Sequence, residues 1–552
     1  MDKLNCGTRN KKQKTRNKKQ ETRNKKLETR NWKLETKKTI MKKVFVLIIV
    51  SLFLISAKSQ NADYKTKLDS IDKYIVKAMT DWGIPGMAIG IVKDGEVIFT
   101  KGYGVRETGK PEKVDENTMF GIASNTKAFV SASLATLVDE GKISWDDKVR
   151  KYLPYFQLYD PYVSENMTIR DLLCHRAGFE TFSGDLLWHS TSYSREDIIK
   201  RARFLKPVYG FRAHYGYSNL MFLTAGEIIP AVTGISLDDY LKQTFFTPLG
   251  MATTNSTIRE HKNITNLAQP HDWVNDKITK LKYISWDNIA AAGGINSTVT
   301  DMSKWIKLQL SNGTLDGKKY FSKETQEEMW SAQMVNTISG TDKYFFPTKH
   351  FHLYGMGWDL FDYLGKKVVN HSGGLDGMIS QVAMVPEEKL GFVILTNSNN
   401  YLPYFLMYTV IDVFLENKGL DYGKIVADFV KRNKEEDKKK QEEEEKARNK
   451  NSKPTLPLES YVGTYGGELY GDAKVTLEKG KLKVQFIPAP EFESVLEHWQ
   501  YDIFTVKFNA FPSLPTGKVN FIINQDGKVE EMKIDVPNPD FYFTELEFKK
   551  KD

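Results

Sequence analysis

The sequence predicts an α+β domain followed by a small all-β domain. Three observations carry this reading. Strand-like stretches lie at both ends of residues 60–425 with helical patterns between them, the arrangement of a helix-flanked sheet that joins its own termini. From 456 to 552, short strand-like stretches are broken by turns at Gly480, Asn524 to Gly527 and Pro537 to Pro539, as in a meander or barrel. Between the two, a charged linker at 426–455 contains "KRNKEEDKKKQEEEEKARNK", which reads either as a solvated helix or as a flexible tether.

The 552 residues exceed one ordinary domain, and 40% hydrophobic with 27% charged residues is a globular composition. The net charge of +9 is misleading. Residues 1–60 hold 18 Lys+Arg against 4 Asp+Glu, so the rest of the chain is at −5. A basic surface for nucleic acid is therefore not expected. Of the two cysteines, Cys6 falls in the basic N-terminus, which leaves Cys174 alone and no intrachain disulfide expected.

Residues 15–36 repeat as "TRNKKQE", "TRNKKLE", "TRNWKLE". The repeat lacks the two apolar positions per heptad that a coiled coil needs, and disorder is the expectation. Residues 1–40 read as a mis-assigned start upstream of Met41. Lys42 and Lys43, the apolar run Val44 to Ala57 and the small residues around Lys58 then form a signal peptide at 41–59. Export to the periplasm or medium is expected, with no stable membrane anchor after cleavage. An uncleaved anchor is the alternative.

In order along the domain, Leu68, Ile71, Ile75 and Met79 recur at helical spacing. "GMAIGIVKDGEVIFTKGYGV" is a hairpin turning at Asp94-Gly95. "TKAFVSASLATLVDEGKIS" is an apolar helix ending near Gly141. Helices and loops follow to about 345, with Ser297 and Asp301 expected to cap a helix at 299–310. "YGMGWDLF", "KKVVNHSGG", "MISQVAMVP" and "LGFVILTN" return to strand.

The chemistry centres on "GIASNTKAFV". Ser124 and Lys127 are one helical turn apart, hence on one face. A serine hydroxyl needs a base to act as a nucleophile, and a lysine buried in an apolar helix loses its charge readily enough to be one. A second such pair, Ser70/Lys73, lies on the polar side of its helix and reads as solvated surface. Tyr217-Ser218-Asn219 adds a phenol able to relay protons and an amide able to orient a carbonyl. His371-Ser372-Gly373-Gly374 ends a predicted strand, and the N–H of Gly374 would face that of Ser124 as an oxyanion hole. The other His-x-Gly, His214 to Gly216, is not on a strand. No phosphate loop appears, and His175 and His189 lack partners at metal spacing, so no cofactor or metal is expected.

A helix-start Ser-x-x-Lys, then Tyr-x-Asn, then a strand-borne His-x-Gly resembles the serine β-lactamase and penicillin-binding superfamily. The likeness is to its class C branch, with D-alanyl-D-alanine carboxypeptidases, D-aminopeptidases and esterases. "LVDEGKISWDDKVRKYLP", "MTIRDLLCHRAGF" and "AAGGINSTVTDMSKW" support it, over roughly Tyr64 to Glu416. The resemblance implies an α/β sandwich with an antiparallel sheet and a helical subdomain. It assigns Ser124 as acylated nucleophile, Lys127 as base, Tyr217 as catalytic tyrosine, Asn219 as substrate-orienting, and His371 with Gly373 as the sheet-edge triad. His371 stands where class C β-lactamases carry lysine, which favours peptidase or esterase over β-lactamase. The tail "YVGTYGGELYGDAKVTLEKGKLKVQF" resembles a lipocalin-like β domain, in which Trp499 is expected to be core.

The function implied is an exported serine hydrolase working through an acyl-enzyme on amides or esters, with a small molecule or peptide as partner. His371 is expected to bind a substrate carboxylate as a cation. The rival readings are a β-lactamase, a slow or non-catalytic penicillin-binding sensor, and a β domain that itself binds lipid or sugar.

Overall fold

The computed structural model describes residues 6–551, the side chains of 6–10, 40, 44–63, 341 and 426 excepted. The chain divides into two units, Met1–Lys73 and Tyr74–Asp552. The first is helical, as part of α1 (Cys6–Trp82). The expectation of disorder for the basic repeats is not met. Lys, Arg, Glu, Gln and Leu are good helix formers without any burial. Thr15, Thr22, Thr29 and Thr36 each donate to the carbonyl four residues back at 2.7 Å. The signal-peptide reading rests on the apolar run from Val44, whose side chains lie outside the described residues.

In the second unit, β1 (Gly86–Lys93) and β2 (Glu96–Gly104) form the expected hairpin. Asp94 and Gly95 both take positive φ, 53° and 83°, as a tight hairpin turn requires. The later strands are β3 (Met334–Val335), β4 (His352–Tyr354), β5 (Asp359–Tyr363), β6 (Lys366–Leu375), β7 (Met378–Val385) and β8 (Leu390–Thr396). They complete an eight-stranded antiparallel sheet in the order β2-β1-β8-β7-β6-β5-β4-β3. Met87 pairs with Thr396, so the two ends of the domain meet in mid-sheet as expected.

The central strands β1, β7 and β8 are buried almost throughout because helices cover both faces. On one face lies α4 (Val299–Leu310); α2 (Thr126–Asp139) packs on α4 by stacking Phe129 on Trp305, and α3 (Asn219–Thr233) packs on α2. Where α4 meets the sheet, a Cβ on Gly90 would stand 2.6 Å from Ser303 Oγ. On the other, α5 (Leu402–Phe414) reaches the sheet where Gln381 Nε2 meets Met407 Sδ at 3.4 Å. The cap of α4 corrects the sequence reading. Thr298, not Ser297, accepts from Asp301 N at 3.1 Å, while Ser297 Oγ bonds Thr254 Oγ1 at 2.7 Å.

The charged linker is a solvated helix, α6 (Tyr422–Ala447). Beyond it come β9 (Gly463–Gly467), β10 (Gly471–Glu478), β11 (Lys481–Phe486), β12 (Glu493–Val495) and β13 (Glu497–Gln500). Then follow β14 (Ile503–Val506), β15 (Gly517–Ile523), β16 (Val529–Asp535) and β17 (Phe548–Lys551). They order as β12-β11-β10-β9-β17-β16-β15-β14-β13, a nearly closed barrel whose end strands are separated only by Leu496. Tyr461, Tyr465 and Phe504 pack around Phe521 at its centre. Trp499 is not core. It is half-buried, with Arg448 4.3 Å and Lys518 5.0 Å from its ring centre.

Candidate active site

Phe120–Gly121 pairs with Asn296–Ser297, and the chain then turns sharply into α2. Ala123, at φ 49°, takes a left-handed conformation that costs an alanine energy. The turn is pinned from below. Ser380 Oγ on β7 donates to Ile122 O at 2.6 Å and accepts from Asn125 Nδ2 at 2.8 Å. This geometry presents Ser124, the one residue from Gly121 to Val130 that is not buried.

Lys127 is 0% exposed. Its Nζ lies 3.0 Å from Ser124 Oγ, 2.7 Å from Asn219 Oδ1 and 2.9 Å from the Ala292 carbonyl. The last two partners can only accept. A neutral amine has two hydrogens, so both are taken by Asn219 and Ala292 and its lone pair is left facing the Ser124 hydroxyl. Burial holds the Lys127 ammonium pKa well below the ordinary lysine value, with the Asp185 charge opposing the shift.

Tyr217 lies beside both Ser124 and Lys127. Its ring centre is 4.7 Å from Lys127 Nζ, and its phenol interacts with the Ser124 hydroxyl. Burial raises the phenol well above its usual range, so it stays protonated. The Tyr217-Ser218-Asn219 segment is held by the loop of 175–183. Ser218 N donates to His175 Nδ1 at 3.0 Å, Tyr217 N to Thr181 Oγ1 at 3.2 Å, and the His175 ring packs 4.1 Å from that of Tyr217. Gly216 is obligatory here, because a Cβ would sit 1.8 Å from Phe179 O.

Strand β6 forms the opposite wall. His371 and Gly373 are buried while Ser372 and Gly374 face outward, the alternation of a strand. A Cβ on Gly373 would stand 2.9 Å from Ser124 N, so β6 runs directly beside the nucleophile turn. His371 corrects the sequence reading. Its Nδ1 must donate to Ser372 O at 2.5 Å, and its Nε2 then accepts from the Tyr354 hydroxyl at 2.8 Å. Burial pushes its pKa down to about 4. At neutral pH it is an uncharged, fully bonded ring and not a cation for a carboxylate.

Seven of the eight residues singled out from the sequence therefore line one cleft, with His371 in a different charge state, and the eighth, Lys127, is buried against Ser124. Sequence reasoning missed Asp185. Its carboxylate accepts from Asn219 Nδ2 at 2.6 Å and is pushed up to about 7 by burial. The signal was legible as a lone carboxylate in the apolar stretch "GDLLW". Ala292, acting through its backbone, left no such signal. Cys174 is buried, and burial pushes its thiol up to about 12, a packing residue. Among the described residues no His, Cys, Asp or Glu cluster could hold a metal ion.

A buried lysine turned onto a serine at the edge of a helix-covered antiparallel sheet defines a serine hydrolase of the β-lactamase fold. A family model described as Beta-lactamase matches residues 71–410, and the chain belongs to that family. Residues 447–550 match a model described as a domain of unknown function, DUF3471. The Unguisins hydrolase ungD' of Aspergillus campestris (strain IBT 28561) is 30% identical over 435 residues, covering 75% of this chain and 78% of that protein. Protein flp of Staphylococcus aureus (strain N315) is 29% identical over 349 residues, 60% of this chain and 64% of flp. The octameric penicillin-binding protein homologue from Pyrococcus abyssi shares the fold, with TM-score 0.58, 22% identity, and coverage of 88% of this chain and 100% of that one.

Proposed function

We propose that the protein is an exported hydrolase that cleaves amides or esters through an acyl-enzyme on Ser124, of D-amino-acid peptidase, carboxypeptidase or esterase type. One observation carries the reading: the buried Lys127 amine stands 3.0 Å from Ser124 Oγ, with acceptors at its two other contacts. Similarity to a hydrolase named for unguisins supports hydrolysis as the reaction type.

Ser124 Oγ bonds to the substrate carbonyl carbon as its proton passes to Lys127. The carbonyl π pair moves onto oxygen, where the N–H groups of Ser124 and Gly374 hold it. Collapse expels the amine or alkoxide, which takes the Tyr217 phenolic proton. Lys127 restores that proton and becomes neutral again. Water repeats the sequence on the acyl-enzyme and releases the acid. Lys127 is assigned as first acceptor because burial favours its free amine, whereas the same burial makes a Tyr217 phenolate costly.

A labelled fluorophosphonate tests the reading. Wild type is expected to take the label and Ser124→Ala to refuse it. Label on both proteins, or on neither, refutes the assignment. Export is tested by the N-terminus of the mature protein, expected to begin just after Ser59.

A further inference from the structure

The active-site cleft does not belong to the hydrolase domain alone. Ser124, Tyr217 and β6 line a cavity of about 790 Å³ whose outer wall comes from two loops of the C-terminal domain, 510–514 and 538–541. The charge on this lining is one-sided. Asp272, Asp376 and Asp540 all face the cavity. Among the described residues lining it, the only lysine or arginine is Lys282, which Glu491 already pairs.

A second, independent feature points to a bound group. His189 lines the same cavity, is 1% exposed, and has no hydrogen bond on either ring nitrogen. Its ring is clamped 4.5 Å from Phe541 and 5.1 Å from Phe511, both of the C-terminal domain. Its Nε2 stands 3.5 Å from Asp376 Oδ2, without a hydrogen bond. A buried polar group left without a partner costs free energy that a ligand can recover.

The geometry points to a subsite for a primary ammonium group on the acyl part of the substrate, formed by Asp376 and His189 from the hydrolase domain and Asp540 from the C-terminal domain. An ammonium offers three donors, which suits two carboxylates and an imidazole nitrogen. Asp376 also fixes the distance. It lies two residues past Gly374, hence at most about 7 Å from it along the chain. An ammonium at Asp376 is thus near the carbonyl that Ser124 attacks. The C-terminal domain acts here as a selectivity element of the hydrolase.

The inference rests on the acyl-enzyme reading, and its test separates the two. Three probes are compared on the full chain: D-alanine p-nitroanilide, its N-acetyl counterpart, and 6-aminohexanoyl p-nitroanilide. Wild type is expected to prefer an ammonium substrate over the N-acetylated one. Asp376→Asn and Asp540→Asn are expected to lower that preference, as a ratio of kcat/KM, at least tenfold. Phe511→Ala, which removes a ring packed against His189 and Phe492, is expected to lower it as well by freeing His189. Whether the α-ammonium or the distal ammonium shows the dependence locates the group. Fluorophosphonate labelling of each variant reports that the nucleophile remains assembled. Preference for the N-acetyl probe, an unchanged ratio in both Asp variants, or labelling without turnover of any probe overturns the subsite and leaves the hydrolase reading standing. Absence of label on wild type overturns the hydrolase reading itself.

Discussion

A chain of short contacts, Asp185–Asn219–Lys127–Ser124, fixes what each group can do. Removing the amine in Lys127→Ala is expected to lower kcat/KM by about 10²–10⁴, the usual worth of a positioned base, as read with a p-nitrophenyl ester. Asp185 acts on the base from a distance. Its negative charge favours the Lys127 ammonium, so Asp185→Asn should let the free amine persist to more acid pH. The acidic limb of the kcat/KM profile is then expected to move down in pH. A limb that stays in place, or moves up, would mean that Asp185 and Lys127 are not coupled. The Ser-x-x-Lys spacing made the nucleophile pair legible in sequence, because one helical turn fixes the distance. The charge state of His371 was not legible, since burial and the Tyr354 contact are set by strands far apart in the chain.

At the scale of elements, function depends on how closely β6 approaches the turn before α2. A methyl on Gly373 would lie 2.4 Å from Ile122 O in the turn and 2.5 Å from the Ser380 Oγ that pins it. Gly373→Ala is therefore expected to destabilise by about 1–3 kcal/mol and to slow fluorophosphonate labelling at least tenfold. Gly374→Ala meets only Ile379 Cδ1, at 3.5 Å, and its melting temperature should stay near that of wild type. The hairpin at Asp94-Gly95, the helix ending near Gly141 and the strands β6, β7 and β8 were legible, because period and turn chemistry are local, whereas "YGMGWDLF" proved to be the turn between β4 and β5, closed by Gly355 N donating to Trp358 O at 2.8 Å. The long basic helix was misread because its sequence satisfies propensity without offering a face to bury. Trp499 was misread because an aromatic ring serves equally well as core or as a platform for Arg448 and Lys518.

Across the whole molecule, the C-terminal domain is fastened to the loop that carries Asp185. Glu545 accepts from Gly184 N at 2.8 Å and from Ser183 Oγ. Glu545→Ala leaves both donors without this acceptor, at a cost of about 1–3 kcal/mol. It is expected to lower the melting temperature and reduce kcat several-fold, with partial recovery in Glu545→Gln. Glu547→Ala, at the exposed pair with Lys206, is the control, expected within about 0.5 kcal/mol of wild type. The two-domain order was legible from the charged run and the turns near the tail. The docking was not, since no local pattern reports that Glu545 reaches Gly184.

The pairing of Met87 with Thr396 has a kinetic consequence. The middle of the sheet cannot assemble until the ribosome has made nearly the whole hydrolase domain, and closing so large a loop is slow. If the protein is exported, as proposed, that delay would serve it, because a polypeptide threaded through a membrane pore has to remain unfolded while it passes.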